Sequence, residues 1–293
     1  MLKREVFFML LSDRFYMRQI DKALHSAPVI NTADYPRLVL FSDCHRGNGT
    51  WSDSFLNNKT IYEAALGYYF ERDFTYIELG DGDELWENRK FSDIEEIHSD
   101  IFKLLDKFNR TGRMYMIWGN HDRVKSRPGF KSSVLPPSTE ALIIKCSGPN
   151  GKVIRYNLIH GHQADFLNNQ LWKLARWLVR YIWRPLELAG IKDPTSAARN
   201  YSKGKIIEDR MADWAKLNQT HLIAGHTHRP TLSHSEKNWS YANTGSCVHP
   251  STITCLEIID GTISLIKWAA CAEKNQYIHI CRYVISGPED FCC

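Results

Sequence analysis

The residues of this sequence that could do chemistry lie in short clusters of histidine, aspartate and asparagine. Six of the 12 histidines belong to these clusters: His45, His121, His160, His162, His226 and His228. They stand beside the oxygen-bearing side chains of Asp43, Asp81 and Asn120. Imidazole nitrogens with carboxylate and amide oxygens form a ligand set that suits manganese, iron or zinc better than calcium. The clusters therefore predict a metal site built from several separate segments.

Each cluster follows a segment that is typical of a buried strand. The predicted strands span residues 38–41, 76–79, 114–118, 153–159 and 221–224. Helical patterns at 61–70 and 94–108 separate the first three of them, and such alternation predicts a largely parallel sheet. Because ligand sites in these sheets lie beyond the carboxyl ends of the strands, we expect the clusters to meet there.

Taken in order, the clusters resemble the five motifs of the calcineurin-like metallophosphoesterases. The matching segments are Asp43-x-His45, Gly80-Asp81-x-x-Glu84, Gly119-Asn120-His121-Asp122, His160-Gly161-His162 and Gly225-His226-Thr227-His228. Any one motif would be weak evidence, but five in order, each after a predicted strand, are a strong resemblance. It implies an α/β fold, a four-layer sandwich of two mixed β-sheets flanked by helices, with a helical cap insertion.

The resemblance also implies a role for each matching residue. Two divalent metal ions are expected, manganese first, with iron or zinc as alternatives. The ligands of the first ion would be Asp43, His45 and His228, those of the second Asn120, His160 and His226, and Asp81 would bridge both. Enzymes of this family attack phosphorus with a metal-bridging hydroxide. His121 would then protonate the leaving oxygen as a general acid, oriented by Glu84.

Residues next to these motifs have two interpretations each. Arg46 and Arg123 adjoin ligands and are candidate substrate-binding residues that would clamp a phosphate, although arginines beside carboxylates are as often structural ion pairs. His162 is predicted to neighbour the metal site rather than to bind an ion. Cys44 lies between two ligands, and we expect its side chain to point away from them and to pack in the core.

The reaction class follows from differences between subfamilies. Protein serine/threonine phosphatases of this superfamily carry Asp-Arg-Gly where this chain has Glu84-Leu85-Trp86, so a protein phosphatase is disfavoured. Several stretches look more like UDP-2,3-diacylglucosamine pyrophosphatases, which cleave a lipid-linked nucleotide. Those enzymes have arginine where this chain has His121, which favours a general phosphodiesterase or phosphomonoesterase. The non-enzyme alternative, a metal-binding scaffold on the same fold, would show gaps in the ligand set, and none is found.

Composition narrows the possible partners. The chain has 293 residues, of which 43% are hydrophobic, as expected of a globular protein. A net charge of +4 is too small to indicate nucleic-acid binding. The expected partner is a small-molecule phosphate ester, and a nucleotide-linked or lipid-linked ester is among the options. Eight cysteines without C-x-x-C pairs predict neither a disulfide framework nor a zinc site, and favour a cytoplasmic location. No apolar run is long enough to span a membrane.

The predicted organisation has three parts. Residues 1–36 form a helical N-terminal extension, residues 37–270 the metallophosphoesterase domain with a cap insertion at 165–218, and residues 271–293 a C-terminal strand and tail. The first cap helix, 171–184, carries a basic stripe of Lys173, Arg176, Arg180 and Arg184 on an otherwise apolar and aromatic surface. Either this helix packs against a second helix at 206–217, with its stripe solvated, or it contacts a membrane surface peripherally.

Overall fold

Two β-sheets form the centre of the protein in the computed structural model, which describes residues 2–32, 36–147, 153–183, 201–233, 239–272 and 278–287. The first half contains α1 (Leu2–His25), β1 (Val29–Asn31), β2 (Arg37–Phe41), α2 (Lys59–Glu71), β3 (Thr75–Leu79), α3 (Phe91–Ile97), α4 (Ser99–Arg110), β4 (Met114–Ile117) and β5 (Ser138–Thr139). The second half contains β6 (Ala141–Ser147), β7 (Val153–Ile159), α5 (Phe166–Asn169), α6 (Trp172–Leu178), α7 (Tyr201–Leu217), β8 (His221–Ala224), β9 (Thr231–Ser233), β10 (Ser240–Asn243), β11 (Thr252–Ile259), β12 (Thr262–Ala272) and β13 (Ile278–Ser286).

Both sheets are mixed. The six-stranded sheet has the order β1-β6-β7-β8-β10-β9, and the seven-stranded sheet has the order β13-β12-β11-β2-β3-β4-β5. Strands β2 to β5 pair in parallel, whereas β11, β12 and β13 pair antiparallel. The predicted parallel run of strands is thus confirmed, and antiparallel strands extend it into a larger sheet.

The sheets pack face to face through an apolar core. Leu38 and Leu40 of β2 point into this core, where they join Leu158 of β7 and Ile223 of β8. The residues between them, such as Val39, point to the opposite face and pack under helices. Since successive side chains of a strand alternate between faces, a strand covered on both sides must be apolar throughout. This explains why β2 is a continuous apolar run in the sequence.

Helices cover the outer face of each sheet. Leu66 of α2 and Phe102 of α4 pack on the seven-stranded sheet, and Ile20 of α1 and Met211 of α7 pack on the six-stranded sheet. The order of layers is therefore helix, sheet, sheet, helix, which confirms the predicted four-layer sandwich.

The segments of the predicted parts contain the following elements. Residues 2–25 are helical, and β1 follows and pairs with β6, so the N-terminal segment contributes a strand to a central sheet. The helix α7 packs on the six-stranded sheet in the flanking layer and lies between the parallel strands β7 and β8 in the chain. The predicted cap insertion also contains α5, α6 and the π-helical turn Val179–Trp183, which are called the cap below, and its residues 184–200 lie outside the described residues.

One disulfide corrects the cysteine prediction. Cys271 of β12 and Cys281 of β13 are bonded, with their Cα atoms 6.3 Å apart. These residues lie on antiparallel neighbouring strands, a proximity that spacing along the chain does not reveal. A disulfide is more typical of oxidising compartments, so it does not support a cytoplasmic location. In the described part of the chain, no helix has the length and apolarity needed to cross a bilayer.

Candidate metal centre

The candidate ligands gather where strands of the two sheets end. Asp43, Asp81 and Asn120 follow β2, β3 and β4 of one sheet, and His160 and His226 follow β7 and β8 of the other. Within each sheet these strands run parallel to one another, so their carboxyl ends share an edge. The sandwich brings the two edges together, and the predicted ligands from five strand ends meet at one place.

The backbone at five ligands adopts the left-handed region. The φ angles are 52° at Asp43, 49° at His45, 51° at Asp81, 70° at His226 and 57° at His228. This conformation is uncommon for residues other than glycine, although aspartate and histidine tolerate it better than most. Such strain concentrates at functional sites, where the surrounding structure enforces it.

Two glycines allow the strand ends to approach closely. A Cβ atom on Gly119 would overlap the Asp81 carboxylate, and one on Gly225 would lie 2.7 Å from Asp43 Oδ2. Any larger residue at these positions would displace a candidate ligand. Close packing at the site therefore requires glycine at these two motif positions.

The first group of candidate ligands consists of Asp43, His45 and His228. Their ligand atoms lie within 4.8 Å of one another, with His228 Nε2 3.1 Å from Asp43 Oδ1 and 3.3 Å from His45 Nε2. The other ring nitrogen of His45, Nδ1, lies 2.8 Å from Glu84 Oε2. A carboxylate can only accept, so Nδ1 donates to Glu84 and Nε2 is the nitrogen that faces the group. Once Nε2 has lost its proton, its lone pair and the Asp43 carboxylate form a donor set that suits a cation.

The second group consists of Asp81, His160 and His226, with Asn120 beside them. His160 Nδ1 donates to the carbonyl oxygen of Leu79 at 2.7 Å, which leaves Nε2 as the ligand atom. That nitrogen faces two oxygens, Asp81 Oδ2 at 3.1 Å and Asn120 Oδ1 at 3.2 Å. Three acceptor atoms that face one another need a proton or a cation between them, so these residues fit a metal ion.

Asp81 lies between the two groups. Its carboxylate belongs to the group of His160 and His226, and it also lies within 4.8 Å of the ligand atoms of His45 and His121. The backbone N–H of His121 donates to Asp81 Oδ1 at 2.8 Å. Burial favours the neutral form of this carboxyl, but the surrounding histidines, His160 first, lower its pKa below the usual value. Asp81 is thus an ionised carboxylate that can reach both groups.

Asp165 supports His226 from outside the ligand set. Its Oδ2 atom lies 3.5 Å from His226 Nε2 and 3.0 Å from the ammonium of Lys203. Burial opposes ionisation of Asp165, yet His226 and Lys203 lower its pKa.

His121 is held on three sides. Its Nδ1 lies 2.8 Å from Glu84, its ring stacks on Trp86 at 4.3 Å between centroids, and His45 meets it edge-on at 4.7 Å. Burial favours the neutral imidazole, but the charges of Glu84 and Asp81 outweigh it and raise the pKa of His121. Nε2 is left free of these contacts for a substrate.

The structure corrects the prediction that Arg46 binds substrate. The side chain is fully buried, with Nε 2.7 Å from Asp83 Oδ1 and Nη2 2.8 Å from Glu78 Oε2. Lys125 adds a second buried cation 2.7 Å from Asp83 Oδ2, and Asp122 joins the same network. The buried carboxylates require these cations as partners. Arg46 is therefore a structural residue beneath the site, the alternative interpretation of the sequence.

The other residues beside the motifs lie as follows. Arg123 is half-buried between the indoles of Trp118 and Trp172, 5.1 and 5.2 Å from their centroids, which keeps it a candidate substrate contact. His162 is buried next to Trp118 and does not belong to the groups of converging ligand atoms. Cys44 is buried in the apolar core, as predicted.

Sequence reasoning missed three contributors. Trp86 lies two residues after Glu84, and Asp165 lies five residues after His160, so closeness to the motifs was the signal for both. Asp122 accepts hydrogen bonds from the backbone of Gly119 at 2.7 Å and thereby fixes the turn that carries Asn120. Its place at the end of the third motif was the corresponding signal.

We expect metal binding to release protons at pH 7. Burial lowers the pKa of both His45 and His160, but a neighbouring carboxylate outweighs it in each case. In the metal-free protein Glu84 raises the pKa of His45 to about 10, and Asp81 raises the pKa of His160 to about 9. Both rings therefore hold an extra proton at pH 7, which an ion must displace, and affinity should rise with pH up to these values. Titration calorimetry with Mn²⁺ in buffers of different ionisation enthalpy should give about one to two protons released.

Glu84→Gln serves as the control for this measurement. It removes the carboxylate that raises the pKa of His45, so fewer protons should be released. Binding of Mn²⁺ with no release of protons in the unaltered protein would contradict the ligand assignment of these two histidines.

Comparison with solved structures finds distant similarities. Solved structures to which the chain is similar include Vps29 from Chaetomium thermophilum, with a TM-score of 0.41 and 11% identity, covering 86% of this chain and 100% of that chain. A dimetal phosphatase from Danio rerio has a TM-score of 0.43 and 11% identity, covering 78% and 94%. A cold-active protein-tyrosine phosphatase from a Shewanella species has a TM-score of 0.44 and 11% identity, covering 88% and 82%.

The sequence itself gives the family. No curated protein matches the chain. The family model of the calcineurin-like phosphoesterases matches residues 36–230, about two thirds of the chain, and this stretch contains every candidate metal ligand. By this match, the chain belongs to the calcineurin-like phosphoesterase family.

Proposed function

We propose that the protein is a binuclear metal-dependent phosphoesterase that hydrolyses a phosphoester or pyrophosphate bond. The observation that carries this proposal is the position of Asp81, an ionised carboxylate in reach of two groups of ligand atoms. Asp43, His45 and His228 would hold one ion, and Asn120, His160 and His226 the other. We expect manganese, with iron or zinc as alternatives, because the donors are nitrogen and oxygen atoms.

The chain's own residues would divide the chemical work. When bound, the two ions would activate a water molecule and neutralise phosphate oxygens. Glu84 holds Nδ1 of His45 and of His121, so it fixes the Nε2 atoms of a ligand and of the candidate acid together. His121 would donate the proton that the leaving oxygen needs. Arg123, fixed between two indoles, would contact the phosphate ester.

The substrate class can be tested with a panel. Phosphomonoesters, phosphodiesters and nucleoside diphosphate conjugates should be incubated with protein reloaded with Mn²⁺ after chelation, and with chelated protein as the control. We expect hydrolysis of a phosphomonoester, a phosphodiester or a pyrophosphate, the UDP-2,3-diacylglucosamine type included as the alternative substrate, and none without metal. Metal binding without hydrolysis of any compound would favour the scaffold alternative, which the complete ligand set opposes.

The cap helix supplies the argument for a lipid-linked substrate or a membrane surface. Several of its apolar side chains are exposed, and four of them are 40–53% exposed: Leu174, Trp177, Tyr181 and Ile182. Exposed cations flank them, because Lys173 lies on the same helix and Arg89 reaches the hydroxyl of Tyr181 at 3.5 Å. Aromatic and basic residues together favour the interface of an anionic membrane. We therefore propose a peripheral membrane contact through this helix.

The structure changes how that contact should be tested. Of the predicted basic stripe, Arg180 points inward and Arg184 lies outside the described residues, so neither suits a charge reversal. We expect co-sedimentation with vesicles that contain phosphatidylglycerol, reduced about fivefold by Lys173→Glu and also by Trp177→Ser. Trp51→Ser, which changes an indole that is 89% exposed outside the cap, should leave binding intact. Absence of binding to vesicles of any composition would contradict the contact.

A further inference from the structure

One arginine of the cap reaches the loop that carries Glu84. Arg180 lies in the π-helical turn after α6 and donates hydrogen bonds to three backbone carbonyl oxygens. Its Nε atom is 2.7 Å from the oxygen of Trp86, and its Nη2 atom is 2.9 Å from that of Leu85 and 3.3 Å from that of Asn88. One guanidinium from the cap therefore fixes the backbone of residues 85–88.

The same loop closes around the carboxylate of Glu84. The backbone N–H groups of Trp86 and Glu87 donate to Glu84 Oε1 at 3.2 and 3.3 Å, and Asn88 Nδ2 donates to the Glu84 carbonyl at 2.9 Å. The N–H groups of the loop hold the carboxylate on one side, and its carbonyl groups meet Arg180 on the other. The orientation of Glu84 thus depends on the conformation that Arg180 fixes.

The loop also supplies the ring that covers His121. Trp86 is 3% exposed, and its indole stacks on the imidazole with an angle of 22° between the planes. Its carbonyl oxygen accepts the shortest of the three hydrogen bonds from Arg180. His121 is therefore held at its edge by Glu84 and on its face by Trp86, and both residues belong to the segment that Arg180 holds.

We propose that Arg180 is a positioning residue through which the cap fixes the orientation of His121. This inference rests on the proposed function and deepens it, because it names a cap residue that governs protonation of the leaving group. Proton transfer needs the donor within hydrogen-bond reach of the leaving oxygen, so a small loss of orientation is costly. Arg180 bonds the loop carbonyls and acts through Glu84 and Trp86, so its loss should lower kcat more than it changes KM.

The test compares two esters with leaving groups of different basicity. An alkyl phosphoester needs the general acid, whereas a p-nitrophenyl ester leaves with little help. We expect Arg180→Ala to lower kcat about tenfold on the alkyl ester and less than about threefold on the p-nitrophenyl ester. Trp86→Leu should reproduce this selectivity. Arg180→Lys, which keeps the charge but offers a single donor group, should recover part of the loss.

Arg176→Ala is the matched control. Arg176 lies one turn earlier on the same helix, with its guanidinium 5.0 Å from the centroid of Trp172. Removing Arg176 should not lower kcat on one ester more than on the other. A selective loss of kcat in Arg180→Ala then could not be ascribed to a general effect of charge on the cap. Equal losses on both esters in Arg180→Ala and Trp86→Leu would overturn the proposal.

A second readout does not depend on turnover. Hydrogen exchange of the amides of Trp86, Glu87 and Asn88 should accelerate in Arg180→Ala and stay unchanged in Arg176→Ala, since these N–H groups bond to Glu84 only while the loop keeps its shape. Unchanged exchange in Arg180→Ala would contradict the proposed positioning. His121→Gln distinguishes failure of the positioning proposal from failure of the proposed general acid. If His121→Gln lowers kcat selectively on the alkyl ester and Arg180→Ala does not, the positioning role alone is rejected. If His121→Gln lowers kcat equally on both esters, the general acid is rejected.

Discussion

Asp81→Asn is expected to lose at least one of two metal ions per chain and to lower turnover about a hundredfold or more. The physical reason is the loss of one of two equivalent oxygens. The present carboxylate directs Oδ2 to His160 at 3.1 Å and accepts the N–H of His121 with Oδ1. An amide keeps a single acceptor oxygen, and its NH₂ group would face either a metal ion or an N–H donor. Elemental analysis of the purified variant and its kcat are the measurements.

Asp83→Asn is the control for this substitution. The same chemical change two residues further on affects a carboxylate held by Arg46 and Lys125, outside the proposed ligand set. It should lower the free energy of unfolding, because two buried cations lose part of their compensation, but it should retain both metals. An Asp81→Asn protein that keeps two ions and a near-normal rate would show that Asp81 is not the bridge.

The part of the site that the sequence predicts well is the part built from local geometry. A ligand that directly follows a buried strand must lie at the sheet edge, and this places Asp43, Asp81 and Asn120 without further information. The continuous apolar run of residues 38–41 in β2 requires cover on both faces, which predicts the layered fold. Motif order supplied the other candidate ligands, which are His45, His160, His226 and His228.

The features that sequence reasoning misassigned depend on contacts between distant segments. Arg46 stands beside a ligand in the chain, yet its partner Glu78 is 32 residues away and buried under the site. Arg180 fits a helical stripe, but its direction is decided by the loop after Glu84, 92 to 95 residues away. The disulfide of Cys271 with Cys281 likewise depends on the pairing of β12 with β13. Spacing within a single element does not encode any of these partners.

His121→Gln is expected to discriminate between substrates by the basicity of their leaving groups. The contacts of His121 suit the proposed general acid, because Glu84 holds Nδ1 at 2.8 Å and Trp86 covers one face of the ring. Burial favours the neutral imidazole, but Glu84 and Asp81 outweigh this effect and raise the pKa of His121. Glutamine can fill the space and donate a hydrogen bond, but it cannot transfer a proton. We expect kcat on an alkyl phosphoester to fall about a hundredfold or more, with only a few-fold loss on a p-nitrophenyl ester.

The distinction between acid catalysis and binding comes from Glu84→Gln. This variant leaves His121 in place but removes the carboxylate that favours its protonated form, so the loss should follow the same order of substrates with a smaller magnitude. It also weakens the support of His45, so metal content must be measured in the same preparation. If His121→Gln lowers kcat equally on both esters while metal content stays constant, His121 contributes to binding or to site structure, and the leaving oxygen takes its proton from another group.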